Sequence, residues 1–295
     1  MKAVVLYEVG GPLTLQEVPE PEGTVVDVRA AGINFADVLI RRGFYPQMPT
    51  LPHVLGSEIA GDLEGRRVLA LPRTAGGYAE RVEVDPDWTF DLPASASFPA
   101  GASFLTTYLT AHVALSRVGP ESTVLVHAGS GGVGTAAIQL AKRLGATVIA
   151  TASTDEKRAF AREQGADEAV GYDGIDDLRV DVVIDPVGGA IFDRSLPLLE
   201  PLGTIVAVGF AGGLWNDPSV QWLVGRNATV TGVYLGRLMK LRPDFVRGCA
   251  NELLAMWDRA EIDPAVGARF PLGEADAAHA LIESRRHVGK VVLEP

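Results

Sequence analysis

Cysteine is almost absent from this chain: Cys249 stands alone among 295 residues. An internal disulfide is therefore impossible, a Cys₄ zinc site is excluded with it, and a reducing cytoplasm is the expected setting. The five histidines, His53, His112, His127, His279 and His287, are scattered, with no H-E-x-x-H or other close ligand spacing. No metal is expected. Positive charge is also scarce, 26 Lys and Arg against 37 Asp and Glu, a net charge of −11. That balance speaks against nucleic acid and against anionic membrane surfaces as partners. No run approaches 18 uncharged apolar residues, so no transmembrane helix is expected, and the opening MKAVVLYEVG reads as a strand rather than a signal peptide. With no Ser-His-Asp arrangement and no reactive-cysteine signature, the chemistry should rest with a cofactor.

What the chain does have is concentrated at 123–145. Val124, Leu125 and Val126 form a short apolar run, followed by Gly129-Ser130-Gly131-Gly132-Val133-Gly134, a G-x-G-x-x-G pattern. An alanine-rich helical stretch then ends at Gly145, and a second apolar run, Val148-Ile149-Ala150, comes straight after. Strand, glycine turn, helix and strand make the phosphate-binding half of a dinucleotide fold. The glycines allow a tight turn, a close backbone approach to a pyrophosphate, and close helix–strand packing. The helix N-terminus adds N–H groups and a positive dipole.

The second strand ends without the acid that a fold built for NAD places there to bind the ribose hydroxyls. Thr151-Ala152-Ser153-Thr154 stands in its place, with no carboxylate until Asp155. Small hydroxyl residues leave room for a 2′-phosphate, and Lys157 and Arg158 follow as counter-charges. NADPH is therefore expected over NADH. The plainer reading is that Ser153 and Thr154 cap a helix with Asp155 and Glu156 in its first turn.

The length and the 47% hydrophobic content suit two well-buried domains. Residues 1 to about 115 read as β-rich, with strands expected at 2–7, 24–30, 58–62, 67–71 and 78–84 and a short helix at 36–42. A helical stretch at 101–118 stops at Gly119-Pro120, a domain boundary. Beyond it the pattern alternates: strands at 124–127, 147–151, 168–171, 180–185, 204–208 and 230–234, helices at 133–144, 155–164 and 190–199. This implies a parallel, doubly wound sheet with ligands at the C-terminal strand ends. Those ends carry 127–134, 151–154, 185–189 and 209–213. Helices at 244–260 and 273–284 and a strand at 291–294 follow. That tail has no room in the nucleotide sheet and should return to the first domain. Domains are thus expected at 1–118 with 252–295, and at 119–251.

Several blocks, in order, resemble one family. They are Ala31-Gly32-Ile33-Asn34-Phe35-Ala36-Asp37, Arg42-Gly43-Phe44-Tyr45-Pro46, 52–61 (PHVLGSEIAG), 105–111 (LTTYLTA), 127–134, and the tail from Ala280 to Arg285 with Gly289-Lys290. Together they are similar to the medium-chain dehydrogenase/reductase superfamily, and within it to the zinc-free quinone oxidoreductase branch that includes zeta-crystallin. The resemblance implies an α/β architecture: a GroES-like, barrel-derived catalytic domain wrapped around a Rossmann domain. It sets Asn34 where zinc alcohol dehydrogenases carry a ligating cysteine, and Ser57 where they carry a ligating histidine. It also shows the 62–68 hairpin to be shorter than in relatives.

By the same resemblance, Ser153, Lys157, Tyr172 and the tail residue Arg285 surround an adenosine 2′-phosphate. Taken alone, Lys157 reads equally well as a solvated helix charge and Tyr172 as a packed strand-end aromatic. Asn34 and Tyr45 fall where relatives line the nicotinamide and substrate cleft, and Phe210, after Gly209, would flank the nicotinamide. His53 reads better as a structural histidine than as a catalytic one. The activity implied is hydride transfer from NADPH to a quinone, with reduction of an α,β-unsaturated ketone or enoyl thioester as the rival. A non-catalytic NADPH-binding role is the alternative outside catalysis. The family also implies a homodimer joined through sheet edges near 229–234.

Overall fold

The computed structural model describes all residues except Arg73 and Ala75. The chain divides into two compact units, Met1–Thr106 with Leu254–Pro295, and Thr107–Leu253. The breaks read from sequence were 118/119 and 251/252. The helical run expected over 101–118 is split into Phe98–Gly101 and Leu105–Ala114, and unit membership follows from which residues pack together rather than from the Gly119-Pro120 stop.

In the first unit, six strands follow one another across a mixed sheet in the order Val266–Pro271, Lys290–Glu294, Val25–Ile33, Ile59–Leu63, Arg66–Ala70 and Thr89–Asp91. A seventh, Arg81–Glu83, pairs with Val25–Ile33. Leu13–Glu17, Lys2–Leu6 and His53–Val54 form a smaller antiparallel sheet. The tail does return: Val291, Val292 and Leu293 pair antiparallel with Ile33, Gly32 and Ala31. Buried Val4, Leu6, Val26, Val28, Leu55, Ile59, Val68, Tyr78 and Leu293 share one core, so strand alternation and the tail pack on the same apolar centre.

The shortened 62–68 segment is a tight hairpin. Leu63 pairs with Arg66, and the intervening Glu64 and Gly65 both have positive φ, 50° and 84°. Two left-handed residues match the type I′ turn, whose twist suits the flanking strands. The stretch expected as a strand at 78–84 is shorter, Arg81–Glu83. Tyr78 instead takes a backbone bond from Val4 N–H and gives one to the Leu55 carbonyl.

The second unit is a six-stranded sheet, parallel throughout. Its order is Glu168–Val170, Thr147–Thr151, Thr123–Val126, Val180–Asp185, Leu199–Ala207 and Thr229–Gly232. The chain winds outward from Thr123–Val126 in one direction and then from Val180–Asp185 in the other. The order reverses between these two strands, and their C-terminal ends flank the crevice where such sheets take ligands.

Candidate functional site

The glycine turn sits at that reversal. Gly129 closes against the sheet: its N–H donates to Thr151 O at 2.9 Å, and an added Cβ would lie 2.8 Å from Ala150 Cβ. Gly134, in the first turn of helix Gly132–Arg143, has no room for a side chain because a Cβ would collide with the Ala128 carbonyl. Gly131 is different. The one atom near its Cβ position is Ala128 O at 3.4 Å, so its outer face is open. It is also the N-cap of the helix and offers no capping side chain. The first N–H groups of a helix have no partners within it. Here they start the helix beside an open glycine, and with Gly132 and Val133 they suit an anionic phosphate group.

Beside this turn, the adjacent strand ends bring the other sequence candidates into one row. Ala152, buried, follows strand Thr147–Thr151 and bonds through its N–H to Val170 O at 3.0 Å. Ser153 is exposed next to it, and Tyr172 lies two residues beyond Val170. Thr154 alone caps helix Asp155–Glu163, its Oγ1 accepting from Lys157 N–H at 3.3 Å, so the capping role foreseen for Ser153 falls to its neighbour. Lys157 is 9% exposed, which overturns its reading as a solvated charge. Arg158 is engaged elsewhere, bonded to Ala152 O and paired with Asp155.

Behind Tyr172 stands a residue the sequence did not single out for a role. His127 is fully buried at the end of Thr123–Val126, and its ring stacks on Tyr172 at 6.1 Å between centroids. Ser195 Oγ donates to Ile191 O at 2.7 Å, so it accepts from His127 Nε2–H at 2.7 Å. Thr151 Oγ1 then donates to Nδ1 at 3.0 Å. This network assigns a neutral Nε2–H tautomer. Burial, helped by the charge of Arg194, pushes the imidazole down to about 3.

On the other side of the reversal, Asp185 Oδ1 accepts from Val187 and Gly188 N–H at 2.8 and 2.9 Å. Burial raises its pKa, while those two N–H groups oppose the shift. Gly209 passes close to Pro186, a Cβ there falling 3.0 Å from Pro186 O. Phe210 packs edge-on against Trp215, ring centroids 5.2 Å apart.

Asn34, Tyr45 and Arg285 belong to the first unit. Asn34 precedes helix Phe35–Arg42, and Tyr45 follows the Gly43 left-handed cap at the other end. Arg285 is exposed at positive φ, in the turn after helix Ala275–Glu283. His53 pairs its backbone with Leu6 in a strand, and burial lowers its pKa.

Two residues missed by sequence reasoning complete the surroundings of Asn34. Lys290 Nζ donates to Asn34 Oδ1 at 2.7 Å, to Ile33 O at 3.0 Å and to Glu58 Oε2 at 3.3 Å. Asn34 Nδ2 donates to the same Glu58 oxygen at 3.3 Å, while Glu58 Oε1 accepts from Thr106 N–H at 3.0 Å. Glu58 is fully buried and Lys290 is 6% exposed. The available signal was a charge inside an apolar run, Glu58 before Ile59-Ala60 and Lys290 before Val291-Val292-Leu293. Below this group, Asp37 Oδ2 accepts from Asn34 N–H at 2.8 Å. Burial lifts the Asp37 carboxyl to about 6, against the pull of Asn34 N–H and the Lys290 charge. Tyr78 hydrogen-bonds Asp37 and meets His279 Nε2 at 3.2 Å.

Among the described residues, no group of three or more His, Cys, Asp or Glu is placed to hold a metal ion. Nor is any helix long and apolar enough to cross a membrane.

Comparison with known proteins places the fold in a family. Residues 20–94 match the family model for the alcohol dehydrogenase GroES-like domain, and residues 132–251 match that for zinc-binding dehydrogenases. The chain is 33% identical to the human synaptic vesicle membrane protein VAT-1 homolog, over 94% of this chain and 80% of that one. It is 31% identical to the quinone oxidoreductase of Mus musculus, over 99% and 97%. The quinone oxidoreductase from Thermus thermophilus, solved with and without NADPH, superposes with a TM-score of 0.94 at 38% identity, covering 100% of both chains. The chain belongs to the zinc-free quinone oxidoreductase branch of the medium-chain dehydrogenase/reductase superfamily. Its second unit is the Rossmann-like domain of that superfamily, and its first is the GroES-like one. The cation that Asn34 contacts is the ammonium of Lys290.

Proposed function

We propose that the protein is an NADPH-dependent, metal-independent reductase that passes hydride to a quinone. The observation that carries this is the row at the nucleotide-sheet edge. An open glycine turn with an uncapped helix start lies beside a strand end that has exposed Ser153 in place of an acid. Gly129, Gly131, Gly132, Val133 and Gly134 hold the pyrophosphate through backbone contacts. Ser153, Lys157 and Tyr172 receive the 2′-phosphate, a dianion that suits a cation and two hydroxyls. Arg285 joins them on the family pattern alone. Gly209 and Phe210 flank the nicotinamide.

When bound, NADPH supplies the hydride. Asn34 and Tyr45 orient the acceptor by hydrogen bonds to its carbonyl oxygens and hold it for transfer. A quinone needs little further activation, because the product gains aromaticity as it accepts negative charge. Two electrons and one proton arrive with the hydride, and solvent gives the second proton that completes the hydroquinone. The edge strand Thr229–Gly232 pairs on one side only, and helix Val220–Arg226 buries none of its residues. With Leu202, Leu214, Val220 and Val224 exposed nearby, this edge joins two copies as a homodimer, which light scattering checks against the mass of one chain. The single cysteine suits a cytoplasmic setting.

The test is oxidation of NADPH followed at 340 nm against benzoquinone, naphthoquinone and enone acceptors. Quinone-dependent oxidation is the expected result. Turnover with enones alone would replace the acceptor assignment, and tight NADPH binding without any turnover would replace catalysis by a binding role.

A further inference from the structure

Asn34 is an amide, and an amide presents a donor or an acceptor according to which way it is turned. Lys290 and Glu58 settle the matter. The lysine has three N–H donors, and all three are used, on Ile33 O, Asn34 Oδ1 and Glu58 Oε2. It therefore has none for a substrate and acts through the groups it touches. Its 2.7 Å bond pins the amide oxygen inward, while Glu58 takes one Nδ2–H at 3.3 Å. Turning the amide over would set NH₂ against the ammonium and oxygen against the carboxylate, both repulsive. One Nδ2–H remains, on a side chain that is only half buried.

We infer that Lys290, together with Glu58, is the positioning device that commits Asn34 to act as a hydrogen-bond donor, so that this site recognises acceptors through a carbonyl oxygen. The inference rests on the reading of Asn34 given above. The pull of the ammonium on Oδ1 also strengthens the remaining N–H as a donor, since bonds in a low-dielectric chain polarise one another. The Ile33 carbonyl and the Asn34 side chain are adjacent in sequence, so Lys290 ties backbone and amide together. Strand Lys290–Glu294 carries it there by pairing with Val25–Ile33.

The experiment replaces the charged pair by an uncharged one of similar shape, Lys290→Met with Glu58→Gln, in which the glutamine oxygen can still accept from Thr106 N–H. Melting temperature and NADPH affinity are measured alongside kcat and KM for naphthoquinone. Lys290→Arg, which keeps the cation, is the conservative control, and Asn34→Ala is made alone and combined with the double variant. The double variant should melt near the parent and bind NADPH unchanged, with kcat/KM for quinone lowered about tenfold to a hundredfold. Lys290→Arg should retain most of the parent's activity, and the double variant should cost nothing more once Asn34 is alanine. An unchanged kcat/KM in the folded double variant, with Asn34→Ala impaired, overturns the positioning role and leaves the reading of Asn34 intact. Full activity of Asn34→Ala overturns both. Should the double variant fail to fold, Lys290→Arg decides: a folded protein that loses quinone turnover as severely as Asn34→Ala contradicts the inference, and retained turnover supports it.

Discussion

Two helices start at the two candidate sites, and they start in opposite ways. Helix Gly132–Arg143 begins on a glycine with an open outer face and no capping side chain. Helix Phe35–Arg42 begins on Asn34, whose backbone N–H is held by Asp37 and whose side chain is held by Lys290 and Glu58. The first leaves its donors open, an arrangement that suits a phosphate. The second satisfies its polar groups internally and keeps back one amide N–H. Under the proposed function, the difference teaches how each partner would be handled: a charged cofactor by bare backbone, an uncharged acceptor by a pre-oriented side chain.

The strongest way to break this comparison is to unbalance the filled site. Lys290→Met alone leaves Glu58 as a buried charge without its cation, and about 3–5 kcal/mol of stability should be lost. Urea titration beside the Lys290→Met/Glu58→Gln double variant checks this, and the double variant should recover most of the loss. Equal stability of the two would show that the pair is not coupled.

The next test contrasts two glycines of the open site. Gly134→Ala forces a methyl into the Ala128 carbonyl and should cost about 1–3 kcal/mol of stability together with NADPH binding. Gly131→Ala has room on the protein side, so melting should barely move while NADPH affinity falls. Calorimetric binding and thermal melting separate the two, and a Gly131→Ala protein with unchanged affinity would remove the phosphate from this face.

A smaller effect should follow from restoring an acid at the second strand end. Ser153→Asp places negative charge where the 2′-phosphate is assigned. NADPH affinity should fall at least about tenfold while NADH affinity rises, as measured by fluorescence titration. No change in preference would move the 2′-phosphate away from Ser153.

The smallest expected effect is in the pH dependence of stability, where each unit carries opposing terms. His127 and His279 are held neutral, at about 3 and about 4, from an ordinary 6.5. Their contribution is fully present above 6.5 and is lost as pH falls toward those values. Asp37 runs the other way, raised from 3.8 to about 6, so its contribution is present below 3.8 and is lost as pH rises through about 6. Asp185, raised by burial, has the same sign as Asp37. Denaturation midpoints should therefore vary little between about pH 4 and 6.5, and Asp37→Asn should unmask a steeper acid loss. A parent profile already as steep as the variant's would contradict the offset.

What could be read from the sequence was what lies close together along the chain. The glycine turn, its flanking strands and the missing acid span 123–154, and the structure places them as expected. The returning tail was also legible, because an apolar strand after the last nucleotide-sheet element had nowhere else to pair. Leu13–Glu17, His53–Val54, Thr89–Asp91 and Val266–Pro271 were not foreseen. Each is short and none contains a run of buried residues, so they exist through pairing with distant strands rather than through their own pattern. The contacts of Asn34 were hidden for the same reason. Lys290 is 256 residues away in sequence, and no local rule joins them. Lys157 shows the converse: its helical setting left a phosphate cation and a solvated charge equally open, and packing holds it 9% exposed.

The most direct measurement is steady-state oxidation of NADPH and of NADH by naphthoquinone, with the protein first treated with a strong chelator. The account requires turnover that survives chelation and clearly prefers NADPH. Loss of activity on chelation, or a preference for NADH, would contradict it.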